Sequence, residues 1–218
     1  MTDVSKFNNQ SLGEEIGNAV THGVGALLAV VGTVVLIVNA CLYGDIWVIV
    51  SSSIYGGSLI VLYSMSTLYH SFTNNTVKKV FQVFDHSSIF LLIIGSYAPI
   101  CLVSLRDTVG WTVFGFNAVI ALLGIVFTSI SVEKSHKAAL VCYLLMGWSI
   151  VFAAKPLLAA IPTQGLLLFL ISGIFYTVGV GFYRSTKSRF MHMIWHFFVM
   201  AGSAFHYFVV LFYIIPNH

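Results

Sequence analysis

Charged residues are scarce in this chain. Of its 218 residues only 8% are charged, whereas about a quarter of the residues in a soluble domain are charged. This scarcity excludes an ordinary soluble domain. Hydrophobic residues make up 58% of the chain and the mean hydropathy is +0.95, so we expect an integral membrane protein.

Other missing features exclude further classes of protein. No basic patch is interleaved with aromatic residues, which argues against a nucleic-acid partner. The cysteines Cys41, Cys101 and Cys142 are isolated, without the CxxC spacing of a thiolate metal site or a redox pair. No polar segment is long enough to build a second core, so we expect one membrane domain over residues 1–218.

Long apolar runs are what the chain has in abundance. Seven of them are long enough to cross a hydrocarbon core of about 30 Å, and they cover roughly 20–42, 46–69, 80–103, 111–131, 138–158, 163–183 and 190–214. The prediction is therefore an all-α bundle of seven transmembrane helices. Pro99 predicts a kink in the third span, and Lys155-Pro156 interrupts the fifth near its end. Ser11 and Glu14 fit a capping box, which indicates an amphipathic stretch along the membrane surface before the first span.

The cations between the spans predict the orientation. Only Arg106 and Lys155 lie on one side, and on the other side lie Lys6, Lys78, Lys79, Lys134, Lys137, Arg184, Lys187 and Arg189. Because cytoplasmic loops are enriched in Lys and Arg, we expect a cytoplasmic N-terminus and an external C-terminus in a multi-pass protein of the cell membrane. Trp47 and Trp111 then begin spans on the outer side, where interfacial tryptophan is common.

Polar residues that are costly in lipid occur in three of the predicted spans. Ser66 and His70 share one face of the second span, and His192 and His196 share one face of the seventh. Asp85, in the third, is the only acidic residue within any predicted span. At about 1.5 Å per residue, the three histidines and Asp85 fall within a slab of roughly 10 Å at the cytoplasmic leaflet. Ionisable residues at such a depth usually line a site.

These residue types favour a metal site. An HxxxH pair alone is a weak signal, but His70, His192 and His196 with Asp85 match the ligand count of a catalytic zinc site. All-imidazole ligation suits zinc and is poor for magnesium or calcium. Ser66 alone is more typical of a helix-packing hydroxyl than of a catalytic group. Its position one turn from His70 makes the difference between these two interpretations smaller.

The remaining histidines are weaker candidates. His86 follows the aspartate by about 100° of helix rotation, which favours a structural hydrogen bond. His22 is either a residue behind the metal ligands or, somewhat more in keeping with its position, a packing or capping residue. His206 lies about 15 Å deeper than the HxxxH pair, so we expect it to line a cavity above the metal. His136 and His218 are predicted to be loop and tail residues.

The joint pattern resembles that of the bacterial hemolysin III proteins, which are similar to the progestin and adiponectin receptors and more distantly to alkaline ceramidases. It consists of Glu14-Glu15-Ile16-Gly17-Asn18-Ala19-Val20-Thr21-His22-Gly23, Ser66-x3-His70, Asp85-His86-Ser87-Ser88-Ile89-Phe90, His192-x2-Trp195-His196 and Ala201-Gly202-Ser203. The resemblance implies a seven-helix fold with an internal N-terminus. It also implies that His70, His192 and His196 bind zinc, with Ser66 and Asp85 beside the metal-bound water.

The first functional hypothesis is a zinc-dependent intramembrane hydrolase that cleaves an amide or ester bond of a membrane lipid. Asp85 would act as the general base towards water, and Ser66 would donate a hydrogen bond to the developing oxyanion. The lipid would reach the site laterally from the inner leaflet, with its headgroup near the metal and its acyl chain along the bundle.

Three alternatives stay open. The zinc is structural if it only holds the second, third and seventh spans together. The protein is non-enzymatic if it senses or adjusts bilayer properties, or perturbs membranes; a secreted pore former is disfavoured, since such a toxin must first be soluble. A proton or cation pathway through Asp85 is limited by the scarcity of other acidic residues across the bilayer.

Overall fold

The protein is all helical. A computed structural model describes residues 10–185 and 188–217, and within those ranges it contains no strand. The α-helices are α1 (Leu12–Tyr43), α2 (Ile46–Ser71), α3 (Asn75–Pro99), α4 (Thr108–Ile130), α5 (Val132–Trp148), α6 (Ala154–Ala160), α7 (Thr163–Arg184) and α8 (Met191–Val209). Of the residues singled out in the sequence, Lys6, Lys187 and His218 lie outside the described ranges.

Among the described residues, seven helical segments are long and apolar enough to cross a membrane, which confirms the predicted all-α bundle of seven transmembrane helices. Four of them are α1, α2, α4 and α7. The third is α3 continued by a π-helix at Ile100–Ser104, and the seventh is α8 continued through Val210–Ile214 to Asn217. The fifth consists of α5, a 3-10 segment at Ser149–Ala153 and α6.

The first span begins earlier than predicted. α1 runs without a break from Leu12, and the Ser11 backbone N–H donates to Glu14 Oε2 at 2.9 Å. The capping box is therefore present, but it starts the spanning helix itself rather than a separate surface stretch. As a result α1 contains Glu14 and Glu15, and α5, which also begins earlier than predicted, contains Glu133. Within the spans as the structure has them, Asp85 is therefore not the only acidic residue.

Both predicted interruptions occur, with different details. Pro99 ends α3, and the chain goes on as a π-helix, because proline has no N–H for the regular ladder. The fifth span leaves α-helical geometry at Ser149, six residues before Lys155. The buried hydroxyl of Tyr97 explains this position, since it donates to Met146 O at 2.6 Å and accepts from the Ile150 N–H at 3.1 Å. α3 thus satisfies the backbone groups freed by the break.

The helices α1, α3, α5 and α8 begin at the same end of the bundle, which we call the site end. At the opposite, far end, Asp45 accepts from the backbone N–H groups of Trp47 and Val48. Arg106 Nη1 donates to Asp45 Oδ2 at 2.7 Å and holds the pKa of this carboxyl below its ordinary value. These contacts join the two far-end loops that follow α1 and α3.

Candidate metal site

Three histidines from two helices meet at the site end. His70 lies in the last turn of α2, and His192 and His196 lie in the first two turns of α8. One ring nitrogen from each approaches the others to within 4.8 Å, which is close enough for a single metal ion to bind all three. His70 and His196 are 5% and 0% exposed. The structure therefore brings together the three predicted ligands.

The free nitrogens of two of these rings fit a metal ligand set. His70 Nε2 and His196 Nε2 are buried and have no hydrogen-bond partner among the described residues. A buried polar atom without a partner costs free energy, and native proteins seldom leave one unsatisfied. A metal ion that accepts both lone pairs would remove that cost.

The opposite nitrogen of His70 contacts a carboxylate that sequence reasoning had not assigned to the site. His70 Nδ1 lies 2.7 Å from Glu15 Oε2 of α1, and Lys78 Nζ of α3 donates to Glu15 Oε1 at 2.6 Å. A signal was present in the sequence, because Glu15, Asn18 and His22 recur at the spacing of one helix face. The prediction missed it because the first span was expected to begin only at residue 20.

α1 also supports His196. Thr21 Oγ1 lies 3.1 Å from His196 Nδ1, and the buried His22 ring stacks on the His196 ring with centroids 3.5 Å apart. His22 therefore lies directly behind one proposed ligand, and it also lines the cavity described below. His22 thus neighbours a proposed ligand and is also a buried packing residue, so both interpretations from the sequence stay open.

Asp85 and Ser66 are buried at the same end of the bundle. Asp85 Oδ2 lies 3.6 Å from His86 Nδ1, and the carboxylate lines the cavity. His86 Nδ1 donates to Gln82 O at 2.9 Å, which is the structural hydrogen bond expected for this residue. Ser66 Oγ is buried and has no hydrogen-bond partner among the described residues. The catalytic roles of Asp85 and Ser66 stay predictions.

Two further histidines lie away from this cluster. His206 Nε2 donates to Ser96 O at 3.0 Å, and the residue lines the cavity as expected. His136 is not a loop residue, because α5 begins at Val132 and buries it. Its Nδ1 lies 3.2 Å from the Tyr183 hydroxyl of α7, so it joins the two helices at the site end.

A cavity of about 630 Å³ extends from the site end along the inside of the bundle. Asp85 and Tyr97 of α3 both line it, so its length is at least about 18 Å by helical rise. Its wall is mostly apolar. Several residues that line it on the fifth span and on α7 are also exposed, among them Trp148, Val151, Leu158, Leu167 and Leu170. The cavity therefore opens sideways between the fifth span and α7.

Known proteins resemble the chain over nearly its whole length. The model of the family described as "Haemolysin-III related" matches residues 10–207. "Hemolysin-3" of Bacillus cereus is 42% identical over 217 residues, which cover 100% of this chain and 99% of that protein. The "Hemolysin-3 homolog" of Bacillus subtilis is 44% identical, covering 93% and 95%. The human "Monocyte to macrophage differentiation factor" is 30% identical, covering 90% and 83%.

Proposed function

Starting from the finding that the chain belongs to the haemolysin-III related family, within the progestin and adiponectin receptor superfamily, we propose that it is a zinc-dependent membrane hydrolase. Its substrate is a membrane lipid with an amide or ester bond, as in ceramide. The observation that carries the proposal is the approach of His70, His192 and His196 nitrogens to within 4.8 Å at the site end of the bundle. At that end Asp85 and His22 line a long apolar cavity.

Zinc is the metal that this donor set suits. Three imidazoles bind zinc well, whereas magnesium and calcium prefer oxygen ligands. Three protein ligands also leave a fourth position for water or substrate, as in catalytic zinc sites. The ion would supply a Lewis acid and would lower the pKa of a bound water towards about 7.

Asp85 and Ser66 supply the other groups that hydrolysis needs. Asp85 accepts a proton from water while the water oxygen bonds to the acyl carbon of the lipid. The C–N or C–O bond then breaks, and the same proton passes to the leaving amine or alcohol. The Ser66 hydroxyl donates a hydrogen bond to the carbonyl oxygen as negative charge develops there.

The cavity supports a lipid substrate in particular. Its apolar wall over about 18 Å would accommodate an acyl chain of more than a dozen carbons, with the carbonyl group at the Asp85 end. The sideways opening between the fifth span and α7 would let the lipid reach the site from the bilayer without crossing water. Membrane lipids are thus the partners we propose.

The charge distribution supports one orientation. Lys78, Lys79 and Lys134 flank the site end, whereas Arg106 lies at the far end. We therefore propose that the site end faces the cytoplasm, with the C-terminus external, in a single-domain protein of the cell membrane. The substrate would then come from the inner leaflet.

A structural role for the metal is the second candidate. The three ligands come from α2 and α8, which are distant in sequence, so a bound ion would tie the two helices together. In that case the protein would be a non-enzymatic sensor or regulator of membrane properties, and any membrane-perturbing effect would not depend on turnover.

The proposal is tested by metal analysis and a lipid assay on the purified protein. We expect about one zinc per chain, and release of fatty acid from at least one member of a panel of ceramides, acyl amides and phospholipids. The His192→Ala variant should lose both the zinc and the activity. Zinc without turnover of any lipid in the panel would favour the structural candidate, and a protein that binds no zinc would contradict the site.

A further inference from the structure

α1 provides no ligand to the proposed zinc site, yet it contacts two of the three ligands. Glu15 Oε2 lies 2.7 Å from His70 Nδ1, and Thr21 Oγ1 lies 3.1 Å from His196 Nδ1. Glu15 and Thr21 are six residues apart, so they lie about 9 Å apart along the same helix. Each contact uses the ring nitrogen opposite the Nε2 that lacks a partner among the described residues.

The direction of the two hydrogen bonds follows from the groups involved and from the tautomer that a metal needs. A carboxylate only accepts, so His70 Nδ1 must carry the hydrogen that points to Glu15. The Thr21 hydroxyl has one hydrogen, which it donates to the carbonyl oxygen of Gly17 or Asn18, each 2.9 Å away. With that hydrogen on a carbonyl oxygen, Thr21 accepts from His196 Nδ1, which is the tautomer that a metal bound at Nε2 requires. Both rings are left with the lone pair on Nε2.

We propose that Glu15 and Thr21 are positioning residues for the metal. They fix the tautomer and the ring orientation of His70 and His196, so that both Nε2 lone pairs face the same point. This inference rests on the proposed zinc site and adds to it a role for α1. Partners of this kind behind histidine ligands commonly raise metal affinity by about 10–100-fold.

Lys78 holds Glu15 in the required position. Its ammonium group donates to Glu15 Oε1 at 2.6 Å, while Oε2 accepts from His70. The two carboxylate oxygens therefore serve different partners, and the side chain is fixed from two helices. Removing the Lys78 charge should loosen Glu15 but keep its bond to the ring, so we expect a smaller effect than from a change of Glu15 itself.

The test measures zinc affinity of the full-length protein in detergent, by competition with a chelating dye. The informative variants are Glu15→Ala, Glu15→Gln and Thr21→Val, which remove or weaken one ring contact each. Thr21→Ser restores the hydroxyl and should restore affinity. Thr33→Val is the matched control, because Thr33 is on α1, about 18 Å further along, and its hydroxyl donates to Ala29 O within the helix.

We expect Glu15→Ala and Thr21→Val to bind zinc about 10–100-fold more weakly, with Thr21→Ser and Thr33→Val close to wild type. Cobalt substituted for zinc should show altered visible absorption in the weakened variants, since the ligand rings are no longer held in place. If Glu15→Ala fails to fold, the Thr21→Val and Thr21→Ser pair decides the question.

Two outcomes separate this inference from the proposed site. Wild-type zinc affinity in Glu15→Ala and Thr21→Val, with loss of zinc in His70→Ala, would overturn the positioning role and leave the metal site standing. Retention of zinc by His70→Ala would overturn the metal site itself, and the positioning role with it.

Discussion

The imidazole of His22 lies flat against that of His196, with ring centroids 3.5 Å apart and ring planes 11° apart. Both residues are fully buried, and the rings of Tyr63 and His22 form a T-shaped contact at a centroid distance of 5.1 Å. This packing restricts rotation of the His196 ring. His196, a proposed ligand, is therefore held by its hydrogen bond to Thr21 of α1 and by the His22 ring against its face.

The stack predicts how substitutions of His22 will behave. His22→Ala removes a buried ring and should cost about 2–5 kcal/mol, as other large-to-small changes in cores do. His22→Phe keeps a flat ring of similar width, so most of the stability and the bound zinc should remain. Thermal unfolding in detergent, followed by metal analysis, checks both. Equal stability of the two variants would mean that the stack contributes little.

The metal content of single variants tests the ligand set. Alanine at His70, His192 or His196 should each remove most of the zinc, because three ligands converge on one point. His206→Ala is the control, since His206 donates to Ser96 O and is about 15 Å from the cluster along α8. Stoichiometric zinc in a His192→Ala, His196→Ala double variant would contradict the site.

Sequence patterns predicted the spans and the ligand triad for clear physical reasons. Apolar runs of membrane-crossing length are hard to mistake, and His192 and His196 occur at the spacing of one helix turn. The approach of His70 to this pair was predicted because the end of the second span and the start of the seventh lie at the same depth in the membrane. Each of these inferences depends only on position along a helix.

What the sequence did not reveal depends on contacts between helices. Glu15 was not assigned to the metal site because a hydrophobicity criterion places the start of α1 too late, whereas the Ser11 cap sets its real beginning at Leu12. The sequence predicts the break in the fifth span too late. A proline at position 156 can be read from the sequence, but the contact of the Tyr97 hydroxyl with the backbone near Ser149 cannot. The sequence predicts a loop position for His136 because the hydrophobicity criterion also places the start of α5 too late.

Tyr97→Phe should destabilise the break in the fifth span. The Tyr97 hydroxyl donates to Met146 O and accepts from the Ile150 N–H, and its loss would leave buried backbone groups unsatisfied at a cost of about 1–3 kcal/mol. The expected result is a thermal midpoint several degrees lower. Tyr43→Phe is the control, because Tyr43 is 64% exposed and no hydrogen bond to its hydroxyl occurs within the described residues. An equal midpoint for both variants would contradict this role.

The proposed orientation can be tested with single cysteines in a background without Cys41, Cys101 and Cys142. Thr73→Cys and Ser188→Cys lie in exposed site-end loops, and Asn217→Cys lies near the far end. On intact cells a membrane-impermeant thiol reagent should label only position 217, because the cation distribution places the site end inside. Labelling of positions 73 and 188 alone would invert the orientation and put the metal site in the external leaflet.

Asp85 separates a catalytic metal from a structural one. Asp85→Asn keeps the shape of the side chain and its capacity for hydrogen bonds, but the amide cannot accept a proton from water. If Asp85 is the general base, the variant should retain zinc and thermal stability, while fatty-acid release falls by a factor of about 10² or more.

The structural candidate predicts a different pair of results. A metal that only ties α2 to α8 has no need of a proton acceptor, so Asp85→Asn should leave the lipid phenotype of the wild type nearly intact. His196→Ala should in that case lower the thermal midpoint, because the tie between the two helices is lost. Lipid profiles of cells that express each variant, measured beside zinc content and unfolding of the purified proteins, distinguish the two. Full activity of Asp85→Asn would rule out the hydrolase mechanism and favour a membrane sensor with structural zinc.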